Sequence, residues 1–233
     1  MPSKRINLYI IHGWTYHPEP WEEVIRELHK RGINAILLKV PGLATPSRAS
    51  FTIDDYVAWA AKNIEKGSLV LGHSNGGRIL LNLLSRPEYQ DFVSGLILLD
   101  SAGIYEFSTK REVAGALSKT LSPLKKIPPL RKLTHRVLGA HDYAKAPENM
   151  KKTLANMLAS DKALDPSKVK VKTAIIWGSA DNITPLRQGK KLHQLIKNST
   201  FTLKDGWAHS HYLKSPFELA GAIAKAYHDL ISA

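Results

Sequence analysis

An α/β fold, three layers deep with a mostly parallel sheet of about six strands at its centre, is predicted by three observations. Short apolar runs alternate with segments of helical periodicity along most of the 233 residues. Most of these runs are apolar on both faces, as strands covered by helices on each side require. The alternation breaks once, between the fourth and fifth runs, which marks an insertion of about seventy residues.

Taken in order, residues 6–11 form the first strand, and 18–31 form a helix carrying Trp21, Val24, Ile25 and Leu28 at helical spacing before Gly32 stops it. The second strand, 33–40, ends at Pro41-Gly42. A helix over 52–64 follows, with Thr52 and Asp55 spaced as a capping box. The third strand, 68–71, runs into Gly72-His73-Ser74-Asn75-Gly76 and then a helix that opens Arg78-Ile79-Leu80-Leu81. Residues 92–99, 172–177 and 200–203 supply the remaining strands. Helices over 185–196 and 216–231 each carry proline at the start. The reading divides the chain into a core, 1–104 and 169–233, and an inserted subdomain, 105–168, with helices over 113–121 and 150–158. An insertion leaving the fourth strand lies over the carboxyl ends of the strands, where parallel sheets bind ligands.

Composition narrows the chemistry. The chain has no cysteine, which removes disulfide scaffolds, thiolate metal sites and cysteine nucleophiles. No grouping of His, Asp and Glu has metal-ligand spacing, so no metal is expected. The N-terminal apolar run is too brief for a signal peptide, and nothing approaches the ~18 apolar residues that span a bilayer. A cytoplasmic protein is therefore expected. The net charge of +13 is concentrated in the insertion, without the interleaved aromatics that stack bases. It reads as a solvated basic face, with no nucleic-acid partner expected.

Ser74 is the chemically pointed residue. Glycines two positions before and after it permit a sharp strand-to-helix turn that side chains there would obstruct, and the helix behind it aims free N–H groups at any anion formed beside the hydroxyl. A serine hydroxyl is too weakly ionised at neutral pH to attack unaided. It needs a histidine base, itself oriented by a carboxylate. His209 follows the last strand and reaches the same sheet edge as Ser74, with His211 its competitor. Asp181 leaves the fifth strand at that edge, and Asp100 leaves the fourth as the rival acid.

His12-Gly13, Pro41-Gly42, the 72–76 turn, the Trp177-Gly178-x-x-Asp181-x-x-x-Pro185 stretch and a late histidine before Ser215-Pro216-Phe217 occur in one order along the chain. In this the sequence resembles the α/β-hydrolase superfamily, in its serine esterase and C–C hydrolase branch with a helical cap. The resemblance implies Ser74 as nucleophile, His209 as general base and Asp181 as the orienting acid. It also implies an oxyanion hole of the Trp14 and Asn75 backbone N–H groups. It implies a cofactor-free hydrolase of small or medium-chain carboxylic esters, monomeric or homodimeric, with C–C bond hydrolysis or non-catalytic binding as alternatives. Within the cap, Tyr105, Phe107, Leu117, Leu121 and Tyr143 are candidates to line an acyl pocket.

Overall fold

Six parallel strands form one sheet: β1 (Leu8–Ile11), β2 (Ala35–Leu38), β3 (Leu69–His73), β4 (Gly95–Leu99), β5 (Thr173–Gly178) and β6 (Ser199–Lys204), in the spatial order β2-β1-β3-β4-β5-β6. The structure is a computed structural model that describes residues 6–105 and 146–232. Seven α-helices occur among these residues: α1 (Trp21–Lys30), α2 (Ile53–Asn63), α3 (Asn75–Leu84), α4 (Glu148–Ser160), α5 (Leu186–Leu195), the short α6 (His211–Lys214) and α7 (Pro216–Ile231). The expected helix at 113–121 lies outside the described residues, as do Phe107, Leu117, Leu121 and Tyr143.

The pleat explains why the inner strands β3, β4 and β5 are apolar on both faces, while the edge strand β6 is largely exposed. Leu69 and Leu71 of β3, Ile97 and Leu99 of β4, and Ala174 and Ile176 of β5 face one layer, packed with Trp21, Val24 and Leu28 of α1 and Leu219, Ala220 and Ile223 of α7. Val70, Leu96, Leu98, Ile175 and Trp177 face the other, against Tyr56 and Val57 of α2, Ile79 and Leu80 of α3, and Leu192 of α5. Each fully buried aliphatic side chain contributes roughly 1.5–3 kcal/mol relative to exposure. Both layers are therefore needed to hold the sheet.

Element boundaries shift by up to three residues: α1 begins at Trp21 rather than 18, for example, and β2 covers Ala35–Leu38 rather than 33–40. The fourth strand begins at Gly95 rather than 92, because Phe92 N–H donates to the Tyr89 carbonyl and closes a turn ahead of the strand. Helix α6 has no counterpart in the sequence reading. At α2 the capping box is present, with Thr52 Oγ1 accepting from Asp55 N–H and an Asp55 carboxylate oxygen accepting from Thr52 N–H.

The described part of the insertion is closely tied to the sheet layers. Met150, Leu154 and Met157 of α4 belong to the same buried cluster as α2 and α3. Thr153 Oγ1 accepts from Phe51 N–H at 2.9 Å, Asn156 Nδ2 donates to Phe51 O, and Asn149 Nδ2 donates to the carbonyls of Ser47 and Ala49. No helix among the described residues is long and apolar enough to cross a membrane.

Candidate active site

All six strands run the same way, so the segments leaving β1, β3, β4, β5 and β6 emerge at one edge. The strand order reverses between β1 and β3, the position at which parallel sheets open a crevice. Ser74 stands there, between β3 and α3, with φ 52° and ψ −119°. A Cβ on Gly72 would lie 2.5 Å from Gly77 Cα, and one on Gly76 would lie 2.0 Å from the Ile11 carbonyl oxygen. The glycines thus serve close approach, while the left-handed φ falls on the serine itself.

Ser74 Oγ lies 2.9 Å from His209 Nε2, and His209 Nδ1 lies 2.8 Å from Asp181 Oδ2. With Nδ1–H donating to the carboxylate, Nε2 is left to accept from the serine hydroxyl. Asp181 is further fixed by its own loop: Oδ1 accepts from the N–H groups of Ile183 and Thr184 at 2.7 and 3.0 Å, and Oδ2 accepts from Thr184 Oγ1 at 2.7 Å. Burial pushes the Asp181 carboxyl up. The hydrogen bond and charge of His209, with the Thr184 and Ile183 donors, outweigh that and hold it below the usual carboxylate range.

The two rivals named from sequence take other partners. His211 stacks on Trp207, ring centroids 3.9 Å apart, and turns Nε2 toward Glu218. Asp100 is fully buried and accepts from Gly178 N–H through Oδ1, and burial together with the neighbouring Asp181 charge pushes its carboxyl up. Its backbone carbonyl meets Thr184 Oγ1 at 3.0 Å, so it braces the loop that carries Asp181.

The loop after β1 closes the other side of Ser74, since a Cβ on Gly13 would sit 3.0 Å from Ser74 Cβ. Trp14, next in this loop, is buried, and Asn75 opens α3, where the first N–H groups have no intrahelical acceptor. Two further histidines are buried here. His12 Nδ1 donates to Gly13 O, and His73 Nε2 donates to the His209 carbonyl at 2.9 Å, which anchors the loop presenting the His209 ring. Burial, aided by His209, pushes His73 down to about 3, so it stays neutral. Tyr105 is half-buried, with the Lys162 ammonium over its ring.

Sequence reasoning missed Thr184, and also an ion pair joining Arg78 to Asp161. A charged residue in the otherwise apolar first turns of α3 was the available signal for the second. Among the described residues, no group of three or more His, Asp or Glu is placed to hold a metal ion.

Comparison with known proteins bears on the family. The sequence is 25% identical over 251 residues to the pimeloyl-[acyl-carrier protein] methyl ester esterase of Neisseria meningitidis, covering 99% of this chain and 95% of the relative. It is 24% identical to the monoacylglycerol lipase ABHD6 of Homo sapiens, covering 95% of this chain and 75% of that one. In fold it is similar to a thermophilic esterase from Thermogutta terrifontis, with a TM-score of 0.67 at 18% identity, covering 97% of this chain and 90% of the other. Residues 8–222 match the model of the Alpha/beta hydrolase family, so the chain belongs to that family.

Proposed function

We propose that the protein is a serine hydrolase that cleaves carboxylic esters of small or medium acyl chain through an acyl-enzyme. The observation that carries the reading is the unbroken hydrogen-bonded chain from Ser74 through His209 to Asp181. In the first step the Ser74 hydroxyl proton passes to His209 Nε2 as Oγ bonds to the ester carbonyl carbon. The carbonyl oxygen becomes an oxyanion facing the Trp14 and Asn75 amides. Collapse breaks the C–O bond, and the departing alcohol takes the proton from His209. Water then gives a proton to His209 as it attacks the acyl carbon, and collapse releases the acid with the proton returned to Ser74.

Asp181 contributes by holding Nδ1–H and by stabilising the imidazolium that forms twice in each cycle. The reading treats 1–104 and 169–233 as the catalytic core, 105–168 as a cap over it, and Tyr105 as a wall of the acyl pocket. The relatives' names, a methyl ester esterase and a monoacylglycerol lipase, support esters over C–C bonds. Arg78, four residues after the serine, lends no support to a C–C hydrolase that would grip an acidic substrate, because its guanidinium is committed to Asp161 and Asn75.

The test is hydrolysis of a p-nitrophenyl ester series and labelling with a fluorophosphonate, by wild type and Ser74→Ala. Wild type is expected to turn over and label, and the variant to do neither. Turnover undiminished in Ser74→Ala, or a folded wild type that fails to label, overturns the reading.

A further inference from the structure

Arg78 lies one turn into α3, three residues after Asn75, so the two side chains share a helix face. It is 3% exposed, in a helix otherwise buried through apolar contacts. A guanidinium is tolerated there only if its donors are matched. Three of its five N–H groups are: Nε and Nη2 donate to the two carboxylate oxygens of Asp161 at 2.7 and 2.9 Å, and Nη1 donates to Asn75 Oδ1 at 2.6 Å. Asp161 is the C-terminal cap of α4, contributed by the insertion 83 residues further along the chain.

The chemistry of the three groups sets a direction. Arginine only donates, so the oxygen of the Asn75 carboxamide must face it, and the amide orientation is fixed. Asn75 is also the first residue of α3, and its backbone N–H is one of the free donors at that helix end. Tethering its side chain limits the torsions that aim this N–H. Packing alone would not need the ion pair, since apolar residues of similar volume fill such positions with equal or better stability.

We propose that Asp161 and Arg78 are positioning residues for the reaction at Ser74, holding Asn75 so that its backbone N–H meets the oxyanion and coupling α4 to the nucleophile turn. The proposal rests on the esterase reading above. Its effect falls on the transition state: substrate binding is little affected, while a misaimed N–H loses part of the roughly 10²–10³ in rate that one oxyanion donor supplies.

Three variants test it: Asn75→Ala, which leaves the ion pair in place; the double variant Arg78→Met with Asp161→Leu, which removes both charges together; and the triple variant. Each is compared with wild type for kcat and KM on a p-nitrophenyl ester, for the pH midpoint of kcat, and for the urea midpoint of unfolding. The expected result is a fall in kcat of about tenfold or more in Asn75→Ala and in the double variant, with KM within about twofold. The pH midpoint stays at the wild-type value because the His209–Asp181 contact is untouched. The triple variant is no slower than the slower parent, since all three changes cut one tether. Wild-type kcat in a folded Asn75→Ala overturns the proposal even if the double variant does not fold. So does a double variant that folds and keeps wild-type kcat, or a shifted pH midpoint, which would place the effect on the base. A wild type that neither labels nor turns over fails the esterase reading instead, and is told apart because no variant is needed to see it.

Discussion

Replacing Ser74 by glycine is expected to stabilise the protein relative to Ser74→Ala, although both variants lack the hydroxyl. The reason is the backbone at this position, φ 52° and ψ −119°, which a residue with a Cβ rarely adopts. Such conformations cost of order 1–3 kcal/mol and persist only where the surroundings over-determine them. Here they do. Ser74 N–H donates to Leu99 O, and Ser74 O accepts from Gly77, Arg78 and Ala102 N–H groups. Alanine keeps the Cβ and its strain and loses only the hydroxyl contact with His209. Glycine removes the strain but adds roughly 0.5–1 kcal/mol of unfolded-chain entropy. The balance favours glycine over alanine by about 1 kcal/mol, which in a chain of this size shifts Tm by about 2–4 °C. Thermal unfolding of the two variants in one buffer measures it. A glycine variant that melts with or below the alanine variant would refute strain at the serine.

Three further outcomes are expected. Gly76→Ala puts a Cβ 2.0 Å from the Ile11 carbonyl oxygen and 2.9 Å from that of His12, both backbone, so it should destabilise by about 3 kcal/mol or more and be visible as a large drop in urea midpoint. His73 is held near 3 when folded but takes a proton below about 6.5 when unfolded, so its contribution to stability falls with decreasing pH through that window by about 1.4 kcal/mol per unit. His73→Gln, which preserves a donor for the His209 carbonyl, should flatten the stability profile between pH 6 and 4 by about one proton, and an unchanged slope would count against it. Thr184→Val removes a hydroxyl donor 2.7 Å from Asp181 Oδ2 and should lower kcat by about tenfold with little change in KM, read from ester hydrolysis.

The fold is legible in the sequence because its inner strands are buried on both sides. Leu69, Val70 and Leu71 read as one apolar run, and in the structure they alternate between two helical layers that are each apolar. Boundaries are less legible where apolar residues serve turns, as Phe92 does through its N–H bond to the Tyr89 carbonyl. A four-residue helix such as α6 leaves no periodicity to find. At the site, the residues at strand ends stand out because a parallel sheet collects all of its carboxyl ends at one edge. The preference for His209 over His211 comes from the family resemblance, and its physical reason lies in tertiary contacts. It depends on Trp207 and Glu218, which take up the His211 ring. Thr184 was hidden because a threonine before a helix reads equally as a cap. The Arg78–Asp161 pair was hidden because a separation of 83 residues carries no local pattern.

That pair also ties the insertion to the turn at Ser74. Helix α4 is held at three points: by Asn149 and Asn156 to the carbonyls of Ser47, Ala49 and Phe51, by Met150, Leu154 and Met157 in the cluster with α2 and α3, and by Asp161 to Arg78. The first two are shared across many residues and yield gradually to substitution. The third is a single buried ion pair, and removing one partner leaves the other charge uncompensated at a cost of roughly 3–5 kcal/mol. An Asp161→Ala change should therefore disturb the turn at Ser74 more than any one apolar truncation in α4 that leaves the pair intact. Measured side by side with Leu154→Ala at matched loss of stability, the larger loss of ester turnover should belong to Asp161→Ala; equal losses would mean that the insertion acts on the site through packing alone.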